Sequence, residues 1–216
     1  MPVSLPAAEL TEIESVTLGH YDANAASFWQ GTKDHDVSQN YAAFLSQFPP
    51  VQTLDILDFG CGPGRDLSYF SSLRHRPVGL DGSATFCAMA REYTGCPVLQ
   101  QHFLSLALPP AAFDGVFANA SLFHVPAQEL PRVLQELHRA LRPSGILFTS
   151  NPRGNSEGWS GARYGHFMEF GVSHDYLTAA GFTVLDHYYR PAGAPREAQP
   201  WLAIVSQKSV ARVGGG

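Results

Sequence analysis

From residue 53 to about residue 180, short apolar runs of strand length alternate with stretches whose apolar residues recur at helical spacing. Leu54-Asp55-Ile56-Leu57-Asp58-Phe59 reads as a buried strand that stops at Gly60, and Arg65 to Leu73 as the helix that follows. Pro77 to Leu80 is a second strand, after which Ser83 caps a helix running through Met89 to Tyr93. Val98-Leu99 forms a third strand and Phe113 to Ala118 a fourth. Leu130, Val133, Leu134, Leu137 and Leu141 then repeat on one helical face up to Pro143-Ser144-Gly145, and Ile146 to Ser150 is a fifth strand. This alternation predicts an α/β fold with a mostly parallel sheet. Right-handed crossovers place its helices on both faces.

The pattern changes towards the C-terminus. After a short helix around Asp175 to Ala180, Phe182 to Tyr189 and Trp201 to Gln207 read as two strands with no helix between them, an antiparallel hairpin closing the sheet. Residues 20–50 read as a helical cap carrying Tyr21, Phe28, Trp29, Tyr41, Phe44 and Phe48. One domain is expected over 20–208, with a ligand-binding half at 53–150 and a C-terminal helix and hairpin at 171–208. Residues 1–19 and 209–216 are expected to be tails, the latter disordered. Residues 151–170 are glycine-rich and aromatic, with no evident helix or strand. A structureless loop of that length in a compact domain is commonly functional.

A chain of 216 residues suits one domain with additions, and 44% hydrophobic with 15% charged residues is ordinary globular composition. The net charge of −5, with Arg74-His75-Arg76 as the densest basic cluster, argues against a nucleic-acid partner. Cys61, Cys87 and Cys96 form no CxxC pair and no metal-ligand spacing, which fits a reducing compartment and no bound metal. No run approaches the ~18 apolar residues of a membrane span. The start of the chain, with Glu9, Glu12 and Glu14, is not a signal peptide. A cytoplasmic protein without a membrane partner is expected.

The candidate chemistry begins at Asp58-Phe59-Gly60-Cys61-Gly62-Pro63-Gly64-Arg65, which joins the first strand to its helix. Glycines here let backbone N–H groups and a ligand approach closely, at the sheet edge where such folds bind ligands. Arg65 stands where a dinucleotide fingerprint puts its third glycine, which weakens a nicotinamide dehydrogenase. Asp81 follows Gly60 by about 20 positions, where a carboxylate accepts hydrogen bonds from ribose hydroxyls. That points to an adenosine-containing cofactor and leaves its kind open. Together the glycine loop, the Gly79-Leu80-Asp81-Gly82-Ser83 corner and the Leu141-Arg142-Pro143-Ser144-Gly145-Ile146-Leu147 turn resemble class I S-adenosylmethionine-dependent methyltransferases. The resemblance implies a Rossmann-like seven-stranded sheet ending in a hairpin. It also implies S-adenosylmethionine as cofactor and S-adenosylhomocysteine as product.

A closer resemblance runs from Tyr21 to Gln207. Tyr21-Asp22-Ala23-Asn24, Phe28-Trp29-Gln30-Gly31-Thr32, Asp34-His35-Asp36-Val37-Ser38-Gln39-Asn40, Phe117-Ala118-Asn119, Phe123-His124-Val125-Pro126, Ser150-Asn151-Pro152-Arg153-Gly154 and His187-Tyr188-Tyr189-Arg190-Pro191 are similar to the C-terminal methyltransferase domain of ovothiol synthases. The resemblance implies N-methylation of 5-thiohistidine, downstream of a separate or fused iron-dependent sulfoxide synthase. It also implies cofactor contacts at Gly60, Cys61, Gly62, Asp81, Gly82, Phe103 and Asn119. His102 stands where the family pattern has an acid that contacts the adenine amine; a neutral imidazole nitrogen can accept the same bond.

Other residues carry two readings each. His124 and Asp36 are the catalytic candidates, to set the acceptor's tautomer or take its proton; otherwise His124 orients the acceptor or bonds locally, and Asp36 contacts substrate or caps a helix. Tyr21, Phe28 and Trp29 either pack helices or line the pocket, where aromatic faces attract a sulfonium. Lys33 and Arg65 are candidates to neutralise the cofactor carboxylate or are solvated charges. In the 151–170 loop, read as a substrate lid, Asn151 lies beside the expected site and Arg153 has the fork geometry for a carboxylate. Arg163 is a second cation there, and Tyr164 and Trp159 are suited to close over an imidazole. Two rivals stay open: a methyltransferase for another small N- or S-nucleophile, and an inactive cofactor-binding partner subunit.

Overall fold

The computed structural model describes residues 4–209; the disordered tail expected at the C-terminus lies, after residue 209, outside the described residues. Three helices, α1 (Ala7–Ala23), α2 (Ala25–Thr32) and α3 (Ser38–Leu45), precede β1 (Asp55–Phe59). There follow α4 (Arg65–Ser72), β2 (Arg76–Asp81), α5 (Ala84–Thr94), β3 (Val98–Gln100), β4 (Phe113–Asn119), α6 (Leu130–Ala140) and β5 (Leu141–Pro152). The chain then forms β6 (Ser156–Ser160), β7 (Arg163–Phe167), α7 (Phe170–Ala179), β8 (Phe182–Arg190) and β9 (Trp201–Lys208).

Local chemistry accounts for most of these boundaries. Ser83 accepts a hydrogen bond from Phe86 N at 3.0 Å as the cap of α5, and Gly95, at φ +69°, ends that helix in the left-handed region. In α6 the stripe Leu130, Val133, Leu134, Leu137 and Ala140 is wholly buried, each large side chain contributing roughly 1.5–3 kcal/mol. Leu141, expected on that helix, instead opens β5, because Pro143 has no amide hydrogen with which to continue a helix.

Seven strands form one sheet in the order β3-β2-β1-β4-β5-β9-β8. The first five pair in parallel, and β9 runs antiparallel to both neighbours, as the terminal hairpin predicts. Strand alternation divides the core. Leu57, Val116, Leu147 and Ile204 face α6 and α7, while Ile56, Phe117, Phe148 and Val205 face α3 and α4 through Phe44 and Phe70. Strand order reverses between β1 and β4, so the connections from their C-terminal ends diverge and open a cleft there.

Two expectations are corrected. Residues 7–19 are the body of α1 rather than a tail; Ile13 and Thr17 are buried under it, and a Cβ on Gly82 would fall 2.8 Å from Leu18. Residues 151–170 are not structureless: β6 and β7 pair as an antiparallel hairpin, tied to α1 where Tyr164 N donates to Thr17 Oγ1 at 3.2 Å. The three cysteines are free thiols, and among the described residues no helix is long and apolar enough to cross a membrane.

Candidate active site

The loop after β1 turns on Gly60 (φ +79°), Gly62 (φ +53°) and Gly64 (φ +100°), a backbone course that side chains with a Cβ resist. Its amides are already committed. Gly60 N and Cys61 N donate to Leu80 O at 2.8 and 3.0 Å, and Gly62 N donates to Asp81 Oδ2 at 2.9 Å. The glycines therefore supply empty space rather than the free donors expected of such a loop. Asp81 also accepts from Ser83 N at 2.9 Å, and burial pushes its carboxyl up to about 6. Beneath the loop, burial and the nearby Asp66 raise the pKa of Asp58 well above its ordinary value.

The cleft has two lobes that share Tyr21, Phe28, Gly60, Gly62 and Ala120. The smaller, about 100 Å³, runs past Asp81 and Gly82 to His102 and Phe103 and is roofed by Ile13, Glu14, Thr17 and Leu18 of α1. Phe103 stacks on Phe59 with ring centroids 4.3 Å apart, which fixes that wall. The larger, about 450 Å³, is lined by Trp29, His35, Asp36 and Cys61, with Arg65, Asp66, Asn119, Arg163, Arg190 and Trp201 around it.

His124 stands on the wall of the smaller lobe, beside Tyr21 at the junction. Its Nδ1 lies 2.6 Å from the backbone carbonyl of Tyr164, which only accepts, so the proton is on Nδ1. Nε2 then accepts from the Tyr21 hydroxyl at 2.7 Å. Burial lowers the imidazole to about 4, so it is neutral at physiological pH. Burial raises the pKa of Tyr21, and Arg163 opposes that shift.

The floor of the larger lobe is a hydrogen-bonded relay. Tyr188 Oη donates to Asn40 Oδ1 (2.9 Å), Asn40 Nδ2 to Asn119 Oδ1 (3.0 Å), and Asn119 Nδ2 to Asp66 Oδ2 (3.2 Å). Asp66 also receives Tyr41 Oη at 2.5 Å and both Nε and Nη2 of Arg65 at 2.7 and 3.0 Å. Asn119 is thus spent on Asp66, and Asp66 on aiming Arg65 into the lobe. Burial and the Asp58 and Asp81 carboxylates push the Cys61 thiol well up, so it lines the wall without being a nucleophile.

Five expected site residues take other roles. Lys33 is exposed at the end of α2 and lines neither lobe; Arg65 lines the larger lobe, its guanidinium bonded to Asp66 and to Thr32 O. Asp36 lies on the rim of the larger lobe and accepts from Ser38 N at 2.9 Å, one residue ahead of Val37, the N-cap of α3; hydrogen bonding from the Ser38 side chain and backbone holds its carboxyl below the ordinary range. Asn151 faces away from the cleft and accepts from Phe123 N at 3.2 Å. Tyr164 is buried against Trp159 and contributes its backbone carbonyl. Arg153 donates to Gln199 O and Arg196 O, both at 2.6 Å, and to Glu169 at 3.2 Å. Arg153→Ala is accordingly expected to lower the melting temperature by about 5 °C and leave the acceptor KM unchanged. Thermal unfolding beside steady-state kinetics checks both. Glu14, Asp66, Arg190 and Trp201 were not expected at the site; only Arg190 lies in a quoted motif.

Residues 57–149 match the family model described as Methyltransferase domain. The trans-aconitate 2-methyltransferase of Azoarcus sp. (strain BH72) is 33% identical over 115 residues, which are 52% of this chain and 45% of that protein. Residues 57–149 are a methyltransferase domain, on the fold of class I S-adenosylmethionine-dependent methyltransferases. A malonyl-[acyl-carrier protein] O-methyltransferase of Enterobacter lignolyticus is 32% identical over 106 residues, 49% of this chain and 41% of that protein. The chain thus spans less than half the length of these curated relatives. Its fold extends further: the Burkholderia thailandensis 1,6-didemethyltoxoflavin-N1-methyltransferase, solved with S-adenosylhomocysteine, superposes with a TM-score of 0.78 at 22% identity, covering 97% of this chain and 94% of that one. S-adenosylmethionine is the cofactor of this methyltransferase domain. The chain's residues fit it: Gly60 and Gly62 line the smaller lobe without side chains, a Cβ on Gly62 would meet only Phe28 at 3.9 Å, and the buried Asp81 suits ribose hydroxyls.

Proposed function

We propose that this chain methylates the side-chain-proximal imidazole nitrogen of 5-thiohistidine, giving ovothiol A, in the cytoplasm and downstream of a separate or fused iron-dependent sulfoxide synthase. The observation that carries this reading is the neutral Tyr21–His124 pair beside the junction of the two lobes, with Arg163 alongside. The resemblance from Tyr21 to Gln207 supplies the acceptor. A ring nitrogen is also the kind of acceptor named for the Burkholderia thailandensis neighbour.

S-adenosylmethionine, when bound, supplies an electrophilic methyl on a sulfonium. The faces of Tyr21 and Phe28, which line both lobes, attract that cation. Because the Tyr21 proton is given to His124, the phenol oxygen presents lone pairs to the acceptor. It accepts the N–H of the distal ring nitrogen and leaves the proximal nitrogen with its lone pair towards the methyl. Once that nitrogen carries the methyl, Tyr21 would still hold the distal N–H, and His124, too weak a base to keep a proton, would hold the Tyr21 hydroxyl; the pair sets the tautomer, and the product ring gives up its extra proton to water. Arg163 holds the amino-acid carboxylate and keeps the more nucleophilic sulfur away from the methyl.

The test is a mass-spectrometric assay with S-adenosylmethionine and reduced 5-thiohistidine, histidine alongside, and NMR to locate the new methyl. Methylation of the proximal nitrogen with histidine untouched is the expected result. Arg163→Ala should raise the acceptor KM by about 10- to 100-fold. An unchanged KM, or no turnover of 5-thiohistidine despite cofactor binding, overturns the assignment. A second reading, O-methylation of a small carboxylic acid, draws on Arg163 and Arg190 in the acceptor lobe, and trans-aconitate in the same panel tests it.

A further inference from the structure

The cofactor lobe ends at His102, where the resemblance leads one to expect an acid. A carboxylate is nevertheless there. Glu14, on α1, places Oε2 2.7 Å from His102 Nδ1. Its other oxygen, Oε1, is buried and has no hydrogen-bond partner among the described residues, and the side chain lines the lobe beside Ile13, Thr17 and Phe103. A buried carboxylate oxygen left without a donor is costly, and a ligand N–H meeting it recovers that cost. Order along the lobe fixes which part of the cofactor arrives here. With the glycine loop after β1 at one end and Asp81 after β2 holding ribose hydroxyls, the purine would take the far end of the lobe, at Phe103 and His102 after β3.

We propose that Glu14, held in place by His102, reads the exocyclic amine of the cofactor's purine, so that purine specificity comes from α1 instead of from the loop after β3. Glu14 Oε1 accepts the amine proton. His102 is a positioning residue: its Nδ1–H occupies Oε2 and turns the carboxylate edge-on to the purine. In a purine with a carbonyl at that position the donor moves to the adjacent ring nitrogen, and Oε1 faces an oxygen where it had faced the amine. The inference depends on the smaller lobe being the cofactor lobe.

Calorimetry separates these contributions without turnover. S-adenosylhomocysteine and S-inosylhomocysteine, which carries a carbonyl in place of the amine, are titrated into wild type, Glu14→Ala, Glu14→Gln and His102→Ala. Wild type is expected to favour S-adenosylhomocysteine by about 100-fold or more. Glu14→Ala should weaken that ligand at least tenfold while leaving S-inosylhomocysteine within about threefold, so that discrimination collapses. Glu14→Gln, whose amide can donate to a carbonyl, should tighten S-inosylhomocysteine. His102→Ala should lose part of the preference. Discrimination retained in Glu14→Ala overturns the proposal. So does an equal loss for both ligands, which would mean that α1 undocks rather than that the amine is read. Failure of the wild type to bind S-adenosylhomocysteine would instead remove the cofactor lobe itself.

Discussion

Gly60→Ala is expected to abolish measurable cofactor binding, raising the Kd for S-adenosylhomocysteine by more than about 100-fold, and to cost about 2–4 kcal/mol of stability. Two penalties coincide at this position. The backbone sits at φ +79°, and an added Cβ would lie well inside van der Waals contact of Ser121 Cβ, 3.1 Å from its Oγ and 3.3 Å from Phe103. Ser121 cannot step aside, because its hydroxyl donates to Phe59 O at 2.6 Å, and Phe103 is stacked on Phe59. Gly62→Ala is the internal control. It shares the left-handed backbone (φ +53°), but its Cβ would meet only Phe28, at 3.9 Å, leaving backbone strain of about 1–2 kcal/mol. Thermal unfolding and calorimetry on the two variants should separate them clearly. Equal melting temperatures would disprove the steric account.

The second large effect is a dependence on pH centred on Asp81. Ribose hydroxyls donate to a carboxylate, so the cofactor selects the ionised form, whereas burial has pushed this group up to about 6. Affinity for S-adenosylhomocysteine should therefore be constant above pH 6 and fall below it, approaching tenfold per pH unit. Without cofactor the same group acts in the opposite direction. Its folded pKa is raised above the ordinary 3.8, so between about pH 4 and pH 6 the folded state holds the proton more tightly than the unfolded chain. The stability contributed by Asp81 falls as pH rises through that window, by roughly 3 kcal/mol in all, and is level above it. Asp81→Asn should flatten the affinity profile and weaken binding about 10- to 100-fold, because the amide pits an N–H against Gly62 N or Ser83 N. Calorimetry between pH 5 and 8 measures both. A variant that keeps the wild-type slope would assign the pH dependence to another group.

The parts of this molecule legible in its sequence are those set by local chemistry. The apolar run ending at Gly60, the cap at Ser83 and the α6 stripe each carry their own boundaries, and with them come Asp81, Gly82 and the cleft at the sheet edge. Helix α1 was hidden because its apolar residues are scattered among Glu9, Glu12 and Glu14. What seats it is tertiary, the contact of Leu18 with Gly82 and the burial of Ile13. The hairpin was hidden because Ser156-Glu157-Gly158-Trp159-Ser160 has almost no apolar alternation, and its pairing is supplied by β7. Choosing between Arg153 and Arg163 required knowing what surrounds each guanidinium. In β7, alternation sends Arg163 towards the cleft and Tyr164 into the interior, and a slip of one residue would exchange them.

The division of the larger lobe bears on how such proteins diversify. Gly60, Arg65, Asp66 and Asn119 fall inside residues 57–149, the stretch shared with the family. Trp29, His35, Arg163, Arg190 and Trp201 fall outside it, on segments before and after. The shared stretch is a socket that presents an activated methyl at a fixed point, and the flanking segments are an interchangeable face plate around it. Relatives matching about half of this chain are named for unlike acceptors, trans-aconitate and malonyl-[acyl-carrier protein], as expected where the segments around the socket choose the acceptor.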